Sequence, residues 1–475
     1  MKYYSQIVIL LALLVTIPIK LGFFVHIGII VLSLHYFFSK EPFKAFLLSF
    51  SIYFLIPYNI NTLIFGFRIG NYLDNAFLTS FPLLICLPFI IKKGEKIFDK
   101  RLKFIMMTFF VILFYSTLLK GAYSLFLGGE RVRITVLIYF LNGFLLMYWG
   151  IKVLTDRKTI KDFIIHIIIL GTIASFIGII QFFFKTFLFE FDIATYELTA
   201  DRLFLLPLPD PVACFPFIVI PFSFAVNYLL SNNSQNKNYL ILSIVILCVA
   251  QLFTLGRWGL ATLVIVAIFS FWIYRKKTLV FFLFSIISIT IAFIPFNSFI
   301  TNSEMERLES RNTLIVRMLM WNAAIETLKS HLILGVGLGN AATYSFNTGI
   351  KLGDVDLSGT RIINPSDIQF QSIHSFFLEW ILSMGLLVVF PILYMYYLYY
   401  KNYKKVVNLN IHPLDVAFVR GIIASLIGIT IFWLQNSGDS YNWLFLLFTI
   451  TFILKDEKYF LNKLNDLERR QTYLE

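Results

Sequence analysis

A chain of 475 residues that is 58% hydrophobic and 14% charged, with a mean hydropathy of +0.79, is not a string of soluble domains; its natural solvent is lipid. The formal net charge of +13 does not point to nucleic acid, because Lys and Arg form short clusters between long apolar runs and not one basic face. Cys86, Cys214 and Cys248 lie in or beside apolar runs without metal-ligand spacing and read as buried thiols.

The first run, Ile7–Ile17, has no small-residue cleavage site behind it and leads straight into more apolar sequence, so it reads as a retained first helix. Apolar runs long enough to be membrane helices then follow at 5–19, 21–38, 42–58, 73–91, 103–119, 134–154, 163–184, 211–230, 238–254, 258–274, 278–298, 374–400, 414–436 and 441–455. The count is about fourteen, or about twelve if some of the short first, second and last runs are re-entrant or interfacial. Basic clusters mark alternate loops: Lys92-Lys93 to Lys103, Arg157-Lys158 with Lys161, Arg275-Lys276-Lys277, Lys401 with Lys404-Lys405, and the tail from Lys455. Threading the runs in order puts all of these on one side, which predicts cytoplasmic termini.

The polar segments 185–210 and 299–373 then fall outside. The second, about 75 residues long, far exceeds an ordinary connection. Leu314, Met318, Trp321, Ile325 and Leu328 recur in it at helical spacing, predicting an amphipathic helix that lies on the embedded core. The expected organisation is an all-α polytopic membrane protein in three parts: N-terminal transmembrane helices over 1–298, a large, partly helical exoplasmic loop over 299–373, and C-terminal helices with a cytoplasmic tail over 374–475.

Topology brings three ionisable residues to one leaflet. Arg257 opens the run that ends at Arg275-Lys276-Lys277, so it stands a membrane thickness away, at the outer surface. His374 opens the run that ends at Lys401 and sits at that same surface; Arg317 lies in the amphipathic helix between them. An isolated Arg257 is most simply a snorkelling helix-end arginine, and a lone His374 a satisfied structural histidine. Their convergence favours a site, in which Arg257 needs an anionic partner. Glu379 is five residues beyond His374 and lies well round a helix axis from it, a poor geometry for an orienting carboxylate. His26, His35 and His166 fall in or near spans, and His412 faces the cytoplasm. His331 precedes Gly335-Val336-Gly337-Leu338-Gly339-Asn340. No strand precedes this glycine cluster, so a dinucleotide site is excluded in favour of a helix stop and a tight turn.

The order of these features resembles the O-antigen ligase and O-antigen polymerase superfamily. Arg257 opens a span after Thr254-Leu255-Gly256; Arg317-Met318-Leu319-Met320-Trp321 leads to the glycine cluster; His374-Ser375 follows, with Gly385 eleven residues beyond the histidine. The resemblance is strongest over about 250–400. Two departures are His331, where the family often has proline, and Val388, where a small or polar residue is common.

The resemblance implies a GT-C-like membrane glycosyltransferase in the bacterial inner membrane, with its active site facing the periplasm or cell exterior. Its donor would be a saccharide on undecaprenyl diphosphate and its acceptor a sugar hydroxyl. Arg257 and Arg317 would hold the diphosphate, and His374 would serve the acceptor hydroxyl. The chemistry agrees: guanidinium forks match diphosphate oxygens, and imidazole titrates near neutrality. No carboxylate cluster of metal-binding type stands out on that face, so neither a metal nor a cofactor is expected. Polymerisation of repeat units comes first, with ligation to lipid A core as the alternative; 54 Phe and abundant Ile, Lys and Asn suit a low-GC source without lipopolysaccharide. A flippase and a chain-length regulator are the protein partners such an enzyme implies. The rival from another class is a lipid-linked oligosaccharide flippase or transporter, disfavoured by the absence of internal repeats and of broken helices in the sequence pattern, by the long outer loop and by charges gathered at one surface.

Overall fold

The computed structural model describes residues 4–15, 23–56, 73–91, 100–116, 142–154, 156–184, 203, 205, 214–231, 237–254, 257–274, 312–337, 340–341, 344–345, 347–348, 373, 375–408 and 413–434. Every regular element among them is helical. In chain order these are α1 (Tyr4–Leu14), α2 (Phe23–Phe38), α3 (Pro42–Leu55), α4 (Leu73–Cys86, extended by a 3-10 turn at Leu87–Phe89), α5 (Lys100–Phe114), α6 (142–153) and α7 (Arg157–Phe184). Then come α8 (Phe215–Leu230), α9 (Lys237–Phe253), α10 (Arg257–Ile273), α11 (Asn312–Ser330), α12 (Phe376–Met384), α13 (Val389–Asn408) and α14 (Pro413–Trp433). The apolar runs dictate this, since a backbone in lipid has to satisfy its own N–H and C=O groups and a helix does so within one segment. Pro42 and Pro413 open α3 and α14, where the missing N–H costs nothing.

The helices other than α11 fall on the predicted runs; the runs at 278–298 and 441–455, most of 185–210 and the C-terminal tail lie outside the described residues. Among those residues α7 and α14 are long and apolar enough to cross a membrane, and α12 with α13 makes a third candidate if the bent pair is one span. The other apolar helices are shorter.

At the centre α8 lies against α14, and α7, α9 and α10 surround them. Gly428 lets α14 close on both neighbours: a Cβ there would stand 2.7 Å from Val219 Cγ2 of α8 and 2.8 Å from Val266 Cγ2 of α10. Phe224 stacks on Phe418 across the same seam, with ring centroids 5.9 Å apart. The N-terminal helices join through α3, whose Phe46 and Phe50 meet Phe163 of α7. Beside them His166 Nε2 lies 2.9 Å from Ser51 Oγ and 3.1 Å from the Leu47 carbonyl. This histidine is a satisfied core residue.

The 374–400 run is not the single helix expected. It breaks at Gly385, and the segments Phe376–Met384 and Leu386–Leu398 diverge by 119°. The cause is local: Gly385 has φ +78°, and the backbone of another segment packs directly on it.

Candidate functional site

Contacts sort the helix termini into two ends. At one, Arg157 Nε donates to Asp415 Oδ2 over 3.0 Å, Asn227 Nδ2 donates to Ser270 Oγ over 3.1 Å, and the Arg420 guanidinium lies 4.2 Å from the centre of the Tyr274 ring. Basic Arg157, Lys158 and Lys161 open α7 here, and α13 runs through Lys401 toward the start of α14 at this end. At the other end, Phe182 stacks on Phe253 (4.7 Å), Leu203 N donates to Phe253 O (3.0 Å) and Leu205 N to Cys214 Sγ (3.2 Å). Phe215 then stacks on Phe432 (4.3 Å) and Phe376 on Trp433 (4.2 Å). These contacts place the end of α9 and the start of α12 at the same end of the bundle.

The second end is built around the glycine cluster. At the end of α11, His331 Nδ1 lies 3.2 Å from the Thr327 carbonyl and its ring meets Tyr344 edge-on. The chain then turns: Gly335 N donates to His331 O, Val336 N to Leu382 O and Gly337 N to Ser383 O at 2.8–2.9 Å, while Leu386 N returns a bond to Leu332 O. Leu382 and Ser383 belong to the last turn of α12, whose carbonyls have no partner within the helix, so the loop caps a helix distant in sequence. Ser116 Oγ adds a bond of 3.2 Å to Ser383 O. Both sides of this clasp need glycine. Gly335 has φ +64°, and a Cβ on it would lie 2.5 Å from both Gly385 N and Ser383 O; one on Gly385 would run into the Ile333 carbonyl. The reading of the cluster as a helix stop and tight turn holds, with the capping of α12 added.

A small core sits under the clasp: Ala324, Val336, Ala341, Ile373 and Leu382 are buried, with Trp321, Leu328 and Leu378 around them. The predicted amphipathic helix is α11, but its inner face is turned from the one expected. Trp321 and Leu328 face inward with Ala323, Ala324 and Thr327, while Met318 and Ile325 are exposed. Small side chains at 323 and 324 let the α11 backbone approach its neighbours, so close packing decides the face over apolar spacing.

Trp321 Nε1 donates to the Ile373 carbonyl over 3.1 Å. This joins α11 to the residue immediately before His374. His374 itself lies outside the described residues, but both its neighbours are buried, Ile373 in the small core and Ser375 at the extended N-cap of α12. Glu379 stands in the first turn of that helix. Arg317 is one turn before Trp321 on α11 and shares its face. It is half-buried, loss of hydration holds its pKa below the ordinary arginine value, and no acid pairs with it among the described residues. A guanidinium stays charged in such a setting and so presents a cation without an acid partner among the described residues.

Arg257 is the first residue of α10. A polar knot precedes it: Gln251 Nε2 donates to Thr254 Oγ1 over 2.8 Å, Thr254 Oγ1 donates to Gln251 O over 2.7 Å, and Gly259 backs directly onto the Gln251 amide. The main packing of α10 is on α8, α9 and α14, and that of α11 is on α12. The helix that carries Arg317 is joined through Trp321 to Ile373, next to His374, and Arg257 opens α10 at the same end of the bundle. Sequence reasoning missed the part played by Trp321, although it stands at a one-turn spacing from Arg317. It also missed Asp415, which an acid within an apolar run would have signalled.

Fold and site together define a helical membrane protein with basic residues and buried backbone connections gathered at one end of its bundle. Residues 242–393 match the family described as O-Antigen ligase, in agreement with the resemblance to the O-antigen ligase and O-antigen polymerase superfamily. The match covers less than half of the chain, from α9 into α13, and takes in Arg257, Arg317, the glycine cluster and His374. No curated protein matches the chain. The match supports an activity of the ligase or polymerase type.

Proposed function

We propose that this protein polymerises the repeat units of a surface polysaccharide, moving a glycan from undecaprenyl diphosphate to a sugar hydroxyl at the outer face of the inner membrane. The observation that carries this reading is the Trp321–Ile373 hydrogen bond, which ties the helix bearing the half-buried Arg317 to the residue next to His374. An anionic leaving group held by Arg317 and a base at position 374 would then act on the same substrate. Arg257, at the same end of the bundle, is the second diphosphate ligand. The exoplasmic placement of 185–210 and 299–373 and the cytoplasmic tail belong to this reading and rest on the alternation of basic loops, while the GT-C-like fold rests on the family resemblance.

In the reaction, the acceptor hydroxyl oxygen bonds to the anomeric carbon as the bond from that carbon to the diphosphate oxygen breaks. His374 takes the hydroxyl proton, and the electron pair leaves on the diphosphate, where Arg257 and Arg317 stabilise the charge. Cationic stabilisation by two arginines makes the step independent of a metal.

The test is transfer by purified protein given a lipid-linked repeat unit, with and without lipid A core, in EDTA. Chain growth without the core is expected. Transfer only to the core would make the protein a ligase, and movement of the donor across a vesicle membrane without any new glycosidic bond would make it a transporter.

A further inference from the structure

The turn that carries the clasp has a composition its position in a polar loop does not explain. Leu332, Ile333 and Leu334 follow one another between α11 and Gly335, and they are 46%, 63% and 40% exposed. Turns on a water-facing surface are usually polar. Here the backbone faces inward onto Gly385 and the three aliphatic side chains project outward.

We propose that this turn is a wedge seated among the acyl chains of the lipid leaflet at the site's end of the bundle. Continuity carries the inference. Leu386, whose N–H is bonded to Leu332 O, begins an exposed apolar row of Leu386, Leu387, Phe390 and Leu393 along α13, the second limb of the bent membrane pair. That row is the lipid-facing side of a membrane helix, and the 332–334 turn extends it without a polar break. On α11, exposed Met318 and Ile325, seven residues apart, share a face and add to the apolar surface. The paired Glu326 and Lys329, also exposed, mark where water begins.

Backbone bonding permits the burial. Gly335 N with His331 O and Leu386 N with Leu332 O pair backbone groups at the two ends of the turn, which lowers the cost of seating it at the apolar boundary. The consequence is a depth. A wedge among acyl chains sets the clasp and the Ile373–Ser375 segment at headgroup level, where a lipid phosphate lies. The inference depends on α13 lying in the membrane and not on the assigned chemistry.

Depth is measured on full-length protein in nanodiscs of phosphatidylethanolamine and phosphatidylglycerol. Cys86, Cys214 and Cys248 are replaced by Ala, and a spin label is attached at Ile333→Cys, with Phe390→Cys as the lipid control and Lys329→Cys as the water control. Oxygen accessibility relative to a water-soluble nickel chelate should match Phe390 and exceed Lys329 severalfold. Leu334→Cys gives a second reading should the first label disturb the turn. Nickel access at 333 and 334 equal to that at 329 would overturn the wedge, and shielding from both reagents would do so by placing a protein partner or a second copy there. Neither result depends on turnover, so the glycan-transfer assignment stands or falls separately.

Discussion

The two ends of the bundle treat arginine in opposite ways. At one, Arg157 is bonded to a fully buried Asp415, and Arg420 lies over the Tyr274 ring, which in turn donates to the Asn227 carbonyl. Charge there is answered from within the protein. At the other, Arg317 is half-buried with no acid among the described residues, and the elements round it are joined by backbone bonds and an indole N–H. The first pattern holds a structure together; the second, on the proposed function, leaves a cation for the donor's diphosphate. Burial alone does not separate a structural charge from a functional one, whereas the partner does.

The sharpest way to extend this contrast is at His374. If it takes the acceptor proton, His374→Gln lowers turnover by about 10²–10⁴ and leaves donor binding nearly intact, because base assistance acts on the transition state. Single-turnover rates and donor titration on folded protein check this; a Gln variant with near-normal turnover reduces His374 to a positioning residue.

Next in size is Arg157. Its removal strands a carboxylate that is fully buried, so Arg157→Ala lowers stability by about 3–5 kcal/mol. Replacing both partners, Arg157→Met with Asp415→Leu, recovers most of the loss. Unfolding measured in mixed micelles tests both statements, and an unchanged midpoint for Arg157→Ala would show the pair to be inert.

Arg317→Ala is expected to behave in the reverse manner. Loss of a charge-assisted contact costs about 1.5–3 kcal/mol of donor affinity, with Lys restoring only part, while the unfolding midpoint stays near that of the parent. A destabilised Arg317→Ala with unchanged donor affinity would erase the distinction between the two ends.

The smallest effect is at Trp321. Phe keeps the ring and loses the N–H donated to Ile373, a difference of about 1 kcal/mol. Turnover should fall severalfold with donor affinity retained, since the bond orients the segment next to His374; an equal loss in both quantities would assign Trp321 to donor binding.

Much of this architecture is legible without coordinates. Apolar length and the spacing of basic clusters are properties of the chain in one dimension, and lipid favours helix for such runs, so every described helix except α11 falls on a predicted apolar run. The ordered motifs round Arg257, Arg317, Gly335 and His374 likewise carry the family, which the match over 242–393 bears out.

The same reasoning fails where two distant segments meet. Gly385 looks like a glycine inside one long helix until the Ile333–Gly335 backbone is seen resting on it, at which point the helix has to break. Met318 and Ile325 look like core positions until Ala323 and Ala324 prove to be the closer fit. Composition and period determined that this is a helical membrane protein, and which residues approach its surface charged. Tertiary structure decided which arginine is neutralised, which helix face is buried and where a helix ends, because each depends on a partner far along the chain, and no local pattern encodes that distance.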